Sequence, residues 1–495
     1  RPSLRGRALS GVLWMSADRV LLFTVMAVVT AVLARLLPPE DFGVVGAALV
    51  VVEIALQLVG AAVTPALVQR AEVSRGVLAT AFWLSVSLSA TLYVIVWWGT
   101  PWVAAFFDMP ALLTVLPVLA LLFLFDGLSA VAQARQQRAL AFREVVVIRA
   151  AADVMGLGVV SIGMALAGYG VWALVGGRLA QSVLRAVGFL ARFPHPVRGA
   201  DTRHLGEIVR FGGGTTLQGL LNSLARQGDA AIVGRMLGAN ALGLYNRAYR
   251  MMALPAGFLA ESFNGVLFPV MSQAQDRPES LRNALYRTTG LLALVLFPLA
   301  ATVGVLAPEV VLVVLGPNWG GAVAPLQVLA AGMFFRAGYK ASMTILKARG
   351  RVYLAAGLQG VYAVVVVVGA LVGAQYGLVG VSAGAVTAVV VFFAIGAVAA
   401  LHETGGRVSE FVRALLPGAS VGAVCGGLAA LAAIPLREAA LSSGAVLFAG
   451  GAASGAVWLL ALSVAPSLLG QHGRWLRQMV TLALGRAGDL AKGGE

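Results

Sequence analysis

The sequence predicts an all-α integral membrane protein with about fourteen transmembrane helices. Of the 495 residues, 59% are hydrophobic and only 12% are charged, and the mean hydropathy is +0.89. A soluble domain carries about a quarter charged residues, so this chain lacks a polar shell. Charged residues are absent from 76–107 and from 352–401. The second of these stretches is long enough for two crossings of about 20 residues each.

Apolar runs and the polar breaks between them place the helices along the chain. Each run is long enough to cross the hydrocarbon core of a bilayer. The predicted spans are 9–36, 41–68, 76–98, 111–134, 144–167, 170–191, 206–236, 242–272, 284–306, 322–346, 352–373, 378–401, 410–434 and 443–466.

The connections between these spans alternate between basic and nearly uncharged, which predicts their orientation. Those around Asp108, Gly168, Glu309 and Gln375 contain no Lys or Arg. Because cytoplasmic loops are enriched in Lys and Arg, the basic connections and both basic tails are expected in the cytoplasm. The net charge of +15 follows the same bias and does not indicate a nucleic-acid partner. The basic connections carry Arg70 and Arg75; Arg135, Arg138 and Arg143; Arg192, Arg198 and Arg203; Arg277 and Arg282; Lys347, Arg349 and Arg351; and Arg407 and Arg413.

Residues that ligate metals are sparse and scattered. The single cysteine, Cys425, lies in an apolar run, which is typical of a small buried hydrophobic residue. The four histidines lie in or beside loops, at spacings unlike those of a metal site. The sequence therefore predicts no metal, no cofactor and no catalytic residues.

The chain also resembles itself at an offset of about 200 residues. Six helices per copy is an even number, so the two copies would share one orientation, as in a parallel repeat. We therefore predict an N-terminal lobe over 1–200, a second lobe over 201–405, and two extra helices with a cytoplasmic tail over 406–495. The recurring features are Arg35-Leu36-Leu37 with Gly43 and Arg235-Met236-Leu237 with Gly243, Pro65 and Pro269, Pro117 and Pro325, and Tyr169-Gly170 and Tyr376-Gly377.

Three segments carry a family resemblance that covers the chain to about residue 405. They are Leu33-Ala34-Arg35-Leu36-Leu37 with Glu40-Asp41-Phe42-Gly43, the run from Leu242 to Arg250, and Leu315-Gly316-Pro317-Asn318-Trp319 with Pro325-Leu326. In this order they resemble bacterial polysaccharide flippases of the MOP (MATE-like) exporter superfamily. The resemblance implies a two-lobed inner-membrane transporter that moves undecaprenyl-diphosphate-linked oligosaccharides to the outer leaflet by alternating access. The transported oligosaccharide would serve the biosynthesis of lipopolysaccharide, capsule or exopolysaccharide.

Polar side chains within the predicted spans mark the candidate site. In helix 7, Gln218, Asn222, Arg226 and Asp229 are spaced four, four and three residues apart, which places them on one helical face. In helix 8, Arg247, Arg250 and Glu261 share a face, because eleven residues close about three turns. Asp18 in helix 1 is equivalent to Gln218 at the 200-residue offset. Buried charges are costly in hydrocarbon, so such residues are expected to line a cavity or pair.

Guanidinium groups match the geometry of phosphate oxygens. We therefore predict that Arg226, Arg247, Arg250 and Arg336 bind the diphosphate, with Gln218 and Asn222 beside them; for Arg336 this rests on analogy with the superfamily. Asp18, Glu53, Asp229 and Glu261 are predicted gating or coupling residues that pair with arginines in one state and release them in the other.

Structural interpretations of the same residues stay open. Arg226 and Asp229 at i and i+3 also fit a buried ion pair, and Arg247 and Arg250 also fit side chains that extend to the membrane interface. Arg149 and Asp153 at i and i+4 are interpreted as a salt bridge. Asp126 and Arg178 are isolated charges deep in helices 4 and 6.

Two other functions fit the composition. A MATE-type multidrug or cation antiporter would be expected to have carboxylates dominating its cavity, whereas arginines are at least as numerous here. A membrane polysaccharide polymerase or glycosyltransferase would need a large extramembrane loop or closely spaced acids. The longest predicted connections, 99–110 and 192–205, are short, and the sequence contains no Asp-x-Asp. The expected partners are the lipid-linked oligosaccharide, membrane lipids, and the polymerase and glycosyltransferases of the same pathway.

Overall fold

The protein is helical throughout the residues that its computed structural model describes: 25–69, 73–139, 142–201, 206, 223, 226–257 and 278–464. Ten helices in these ranges are long and apolar enough to cross a membrane. The all-α membrane class is therefore confirmed. The total of fourteen spans stays a prediction.

Seventeen helices can be numbered within the described ranges. They are α1 (Val25–Leu36), α2 (Pro39–Gln69), α3 (Arg75–Phe107), α4 (Leu112–Ala120), α5 (Leu122–Ala139), α6 (Phe142–Ala152), α7 (Ser161–Leu166), α8 (Val171–Arg192), α9 (226–257), α10 (Pro278–Val305), α11 (Ala307–Val314), α12 (Val323–Ala331), α13 (Met333–Ala348), α14 (Val352–Ala374), α15 (Gly377–Thr404), α16 (Val408–Glu438) and α17 (Ser443–Val464). A π-helix, Asp153–Val160, joins α6 to α7, and a 3₁₀ helix, Pro317–Ala322, precedes α12.

The predicted connection 99–110 is wrong, because α3 continues through it to Phe107. Pro101 lies inside the helix; one proline removes only one backbone donor, and membrane helices tolerate that loss. The hydroxyl of Thr100 donates to the Val96 carbonyl at 2.8 Å and stays inside the helix. The helix ends at Asp108, which adopts a left-handed conformation with φ 53°. At 1.5 Å per residue, α3 is about 50 Å long, more than the hydrocarbon core requires.

Contacts divide the chain into two compact units, Arg1–Asn246 and Arg247–Glu495. In the first unit, α5 packs against α2, α3 and α8. Near the predicted cytoplasmic end of these helices, a buried cluster joins Leu67 of α2, Phe82 of α3 and Val131 of α5. Gly238 in α9 has a φ of 85°, which interrupts the right-handed helix at the predicted break between helices 7 and 8. The lobe boundaries proposed from the repeat stay predictions.

In the second unit, α10 packs against α13 and α16. Gly418, Gly422 and Gly426 form a stripe on α16 that lies directly against α10, at Ala293, Phe297 and Ala301. Small residues four apart let two helix backbones approach closely, which is the usual way that helices associate in a membrane. The helices after the proposed second repeat are therefore packed closely onto the rest of their unit.

Arg437 is a cation in a connection that the charge pattern predicts to be outside the cytoplasm. Its Nε and Nη2 donate to the two carboxylate oxygens of Glu309, both at 2.7 Å. Nη2 also donates to the Val305 carbonyl at 3.0 Å. Because a bidentate pair of this kind fixes geometry, Arg437 joins the end of α16 to α11.

The segment that follows α8 folds back onto α3. Trp83 donates from its indole nitrogen to the Val197 carbonyl at 2.9 Å. The Thr80 hydroxyl donates to the Asp201 carbonyl and accepts from the Asp201 amide. The His195 ring lies 5.1 Å from the Phe82 ring, between their centroids. These contacts fix His195 outside the membrane-spanning part of α8.

Acidification is expected to destabilise the protein through His195. Burial lowers the pKa of His195; the Phe193 backbone opposes this effect and the nearby Arg135 guanidinium adds to it. Between that lowered pKa and the ordinary value of about 6.5, the unfolded chain binds more protons than the folded one. Stability from this residue is therefore complete above about pH 6.5 and decreases as the pH falls below it.

Thermal unfolding of the purified protein at pH 7.5 and 5.5 measures this effect. We expect His195→Phe to lose less stability on acidification than the wild type. His402→Phe, at an exposed position near the end of α15, should behave like the wild type. Equal pH dependence in the wild type and His195→Phe would remove His195 as the cause.

Candidate substrate-binding site

Two cations lie one turn apart on α13, within a segment that is long and apolar enough to cross a membrane. They are Arg336, which the sequence analysis predicted, and Lys340, which it missed. Both side chains are half-buried. Two like charges at i and i+4 destabilise an isolated helix, and charges at membrane depth normally face a cavity or a partner. That spacing was visible in the sequence and could have identified Lys340.

Arg336 is held over an aromatic ring of α9. Its guanidinium carbon lies 4.6 Å from the centroid of the Tyr249 ring. This is a cation–π contact, which stabilises the charge while leaving the edge donors of the guanidinium able to form hydrogen bonds. Tyr249 was not predicted as a site residue, although it lies between Arg247 and Arg250. The structure therefore brings α13 to the part of α9 that carries the two predicted arginines.

Arg247 is half-buried and Arg250 is exposed. They are three residues apart in α9, so their side chains point about 60° from each other around the helix axis. The second unit thus presents four cationic side chains on α13 and on the part of α9 that the Arg336–Tyr249 contact joins to it: Arg247, Arg250, Arg336 and Lys340. We call these four residues the α9–α13 cationic group.

In the first unit, Glu53 of α2 accepts a hydrogen bond from the side-chain amide of Gln227 in α9, at 2.5 Å. Gln227 was not predicted. Its neighbour Arg226 is exposed, and its Nη2 lies 3.4 Å from the Ser223 hydroxyl, a long contact. The predicted gating carboxylate of α2 therefore contacts the helix that carries Arg226 and Asp229.

Asp229 is 5% exposed and lies inside the first unit. Its carboxylate accepts from the Tyr245 hydroxyl at 2.7 Å and from the Ala230 amide at 2.8 Å. Buried carboxylates need such donors, because burial without them is costly. The contact spans the left-handed Gly238 and joins the two helical segments on either side of it. The predicted pairing of Asp229 with Arg226 stays a prediction.

Removing the Tyr245 hydroxyl is expected to destabilise the first unit by about 1–3 kcal/mol, because a buried carboxylate loses a donor. The test is Tyr245→Phe, compared with the wild type in thermal unfolding of the purified protein. Tyr353→Phe is the matched control, since Tyr353 is 92% exposed. Equal unfolding of wild type and Tyr245→Phe would show that this hydrogen bond has no net effect on stability.

Four predicted site residues, Asp18, Gln218, Asn222 and Glu261, lie outside the described residues. Within the described ranges, no group of three or more His, Cys, Asp or Glu side chains is placed to hold a metal ion.

Residues 32–324, more than half of the chain, match the family described as polysaccharide biosynthesis protein. The chain belongs to this family. The resemblance of this chain to bacterial polysaccharide flippases, predicted from the sequence, is confirmed by its membership of this family.

Two relatives of this polysaccharide biosynthesis protein are named for the biosynthesis of teichuronic acid and of lipopolysaccharide. This chain is 25% identical over 357 residues to the teichuronic acid biosynthesis protein TuaB of Bacillus subtilis, covering 72% of this chain and 74% of the relative. It is 26% identical over 353 residues to the lipopolysaccharide biosynthesis protein WzxC of Escherichia coli, covering 71% and 72%.

Solved structures define the fold of this polysaccharide biosynthesis protein. The lipid II flippase MurJ in an inward closed conformation superposes with a TM-score of 0.75 at 13% identity, covering 92% of this chain and 98% of that one. An inward-facing multidrug resistance MATE transporter of the MOP superfamily superposes with a TM-score of 0.63 at 16% identity, covering 80% and 99%. The protein therefore has the MATE-like fold of MOP transporters.

Proposed function

We propose that this protein is a flippase that moves an undecaprenyl-diphosphate-linked oligosaccharide from the cytoplasmic leaflet to the outer leaflet. Three findings support the proposal. The chain belongs to a polysaccharide biosynthesis family. A further relative, from Rhizobium meliloti, is named succinoglycan biosynthesis transport protein ExoT and is 26% identical over 318 residues, covering 64% of each chain. The fold of this chain is that of transporters, one of which is named a lipid II flippase.

The observation that carries the proposal is the pair Arg336 and Lys340 on α13, with the guanidinium of Arg336 over Tyr249. A lipid diphosphate must lose part of its hydration to cross a membrane. Guanidinium and ammonium groups replace that hydration with charge-assisted hydrogen bonds to phosphate oxygens. Two such cations at membrane depth are expensive unless a protein partner, an anion or a wet cavity is present. A passage for an anionic head group gives both cations a function at this depth.

In this mechanism the α9–α13 cationic group of the second unit binds the diphosphate. That Arg226, Gln218 and Asn222 of predicted helix 7 also bind it stays a prediction from the sequence. The lipid tails stay in the bilayer while the sugars cross in a polar interior. Asp18, Glu53, Asp229 and Glu261 stay predicted gating or coupling residues. Release of an arginine by such a carboxylate when substrate binds would shift the equilibrium between the two access states.

We also infer that the two lobes are equivalent at an offset of 200 residues. A Cβ atom on Gly43 would overlap the Ala239 carbonyl, and a Cβ on Gly243 would overlap the Pro39 carbonyl. Residue 239 is equivalent to 39 at this offset, as 243 is to 43. A two-fold axis relating the copies produces such reciprocal contacts, which supports a parallel repeat.

The protein is a multi-pass membrane protein, and we infer that it resides in the bacterial inner membrane with both termini in the cytoplasm. The alternation of basic connections supports this orientation. We also infer that the protein transports and does not catalyse. Its substrate would come from the glycosyltransferases of the pathway and pass to a polymerase.

Deletion of the gene in the source bacterium tests the function. We expect surface polymer to disappear and lipid-linked oligosaccharide to accumulate in the cytoplasmic leaflet, where it is protected from periodate added to intact cells. Complementation with the wild-type chain should restore both properties. Normal polymer, or precursor that periodate oxidises fully without the protein, would contradict the flippase function.

A further inference from the structure

Four polar side chains meet inside the first unit, away from the residues predicted for the site. Arg178, Gln181 and Arg185 follow one another on α8 at spacings of three and four residues, which places them on one face. With 22 residues, α8 is long enough to cross a membrane, yet it is not among the ten described helices that are both long and apolar enough to do so. A membrane helix with a polar stripe directs that stripe to the protein interior or to a wet cavity.

Asp153 completes the group from the opposite helix. Its Oδ1 accepts from the Gln181 amide at 2.5 Å and from Arg185 Nη2 at 3.3 Å. The other side of the Gln181 amide accepts from Arg178 Nη1 at 3.2 Å. Asp153 and Gln181 are both buried. We call Asp153, Arg178, Gln181 and Arg185 the α8 polar cluster.

The backbone around Asp153 is unusual. Asp153 begins an eight-residue π-helix, Asp153–Val160, within a membrane-spanning segment. π-Helical segments are rare and are found frequently at functional sites. Gly156, within the same segment, has no Cβ, and an added one would lie 2.4 Å from the backbone nitrogen of Gln181. The local backbone therefore brings α8 close and holds Gln181 against Asp153.

A simple ion pair does not account for this arrangement. Asp153 makes its short contact with a neutral amide, and its contact with Arg185 is long. The Arg185 side chain is 33% exposed, and among the described residues its Nε has no hydrogen-bond partner. A guanidinium has five N–H donors, so Arg185 keeps donors that Asp153 does not use. A buried donor without a partner costs about 1–3 kcal/mol.

The donors and acceptors of the cluster indicate the kind of ligand. The Asp153 carboxylate only accepts hydrogen bonds, whereas the guanidinium groups of Arg178 and Arg185 only donate them. A sugar hydroxyl fits both kinds of group, because it donates to a carboxylate or amide oxygen and accepts from a guanidinium at the same time. The alternation of donors and acceptors along α8 fits adjacent hydroxyls on one sugar ring.

We propose that the α8 polar cluster is a carbohydrate-binding subsite that recognises hydroxyl groups of the lipid-linked saccharide. This inference rests on the proposed flippase function and assigns the sugar and the diphosphate to different residues. Arg185 donates to a hydroxyl oxygen, Asp153 accepts from a hydroxyl, and Gln181 positions the carboxylate. The diphosphate binds the α9–α13 cationic group.

The test measures binding to the purified protein in nanodiscs by native mass spectrometry. The probes are undecaprenyl diphosphate and the same lipid carrying one glucose or one galactose. We expect the wild type to bind at least one glycosylated lipid about tenfold more tightly than the bare lipid, which two added hydrogen bonds can provide. Asp153→Asn, Arg185→Gln and the double variant should lose this preference and keep the affinity for undecaprenyl diphosphate.

The double variant Asp153→Asn with Arg185→Gln separates this role from a structural one, because it removes both charges and leaves neither unpaired. The matched control is Glu144→Gln with Arg192→Gln. That pair joins α6, which leads directly into the π-helix of Asp153, to α8 at the same 3.3 Å, with the Arg192 side chain 63% exposed. The control should bind all three lipids like the wild type.

Three outcomes would overturn the subsite: a wild type that does not distinguish glycosylated from bare lipid, a double variant that retains the preference, or a double variant that loses affinity for all three lipids equally. Failure of the proposed function gives a different result, since the wild type would then bind none of the three lipids.

Discussion

Replacing Gly43 or Gly243 with alanine is expected to abolish polysaccharide export. Each glycine lies directly against a backbone carbonyl about 200 residues away in the chain: Gly43 against Ala239, and Gly243 against Pro39. These obstacles are backbone atoms, which cannot rotate away as a flexible side chain does. Overpacking typically costs about 1–3 kcal/mol. Because two backbones must move apart, the cost is expected at or above the upper end of this range. It corresponds to about a 100-fold change in the folding equilibrium.

The measurements are polymer export in the complemented deletion strain and thermal unfolding of each purified variant. Gly99→Ala is the control, because an added Cβ there meets nothing within 4 Å, and α3 is helical around it. Alanine in an open helix position is neutral or stabilising by about 0.5–1 kcal/mol. Wild-type export and stability in both Gly43→Ala and Gly243→Ala would show that the two segments do not approach as described.

The second large effect is expected on removing both charges from α13. Arg336→Gln with Lys340→Gln should reduce export to the level of the deletion strain while the protein still inserts and unfolds cooperatively. The reason is that the diphosphate loses the groups that replace its water, and hydrogen bonds to charged groups contribute about 1.5–3 kcal/mol each. Two of them correspond to a loss of about 100-fold or more in affinity for undecaprenyl diphosphate.

Lys347→Gln provides a matched control, since Lys347 lies on the same helix but is exposed near its end. It should export like the wild type. Arg336→Lys should retain part of the activity, because charge is kept while the planar contact with Tyr249 is weakened. Unchanged affinity for undecaprenyl diphosphate in the double variant would exclude α13 as the binding element.

The sequence was sufficient for features that depend on a single segment. The spans followed from apolar runs, because a membrane requires about 20 such residues to cross it. The turn at Gly238 fell where the polar break predicted it. Arg336 stood out because it is a charge in an apolar run. Lys340 could have been found in the same way, since it lies one turn further along α13.

Features that depend on two segments could not be predicted. Asp153 was interpreted as the partner of Arg149, four residues earlier, because a pattern on one helix cannot reveal the neighbouring helix. The structure places Gln181 and Arg185 against Asp153, 28 and 32 residues further along the chain. The cation–π contact between Arg336 and Tyr249 joins helices whose contacting residues are 87 positions apart in the sequence. A π-helix also changes which residues share a face, so the ordinary helical period fails at that position.

The most direct test of the central claim is translocation by the purified protein in vesicles. The substrate is undecaprenyl diphosphate carrying a single glucose or galactose, placed in both leaflets, and external periodate oxidises only the sugars that reach the outside. With wild-type protein we expect oxidation to proceed from about half of the substrate toward all of it, whereas the Arg336→Gln, Lys340→Gln double variant should stop at about half. Oxidation that stops at about half with the wild-type protein, or that proceeds equally with the double variant, would contradict the account.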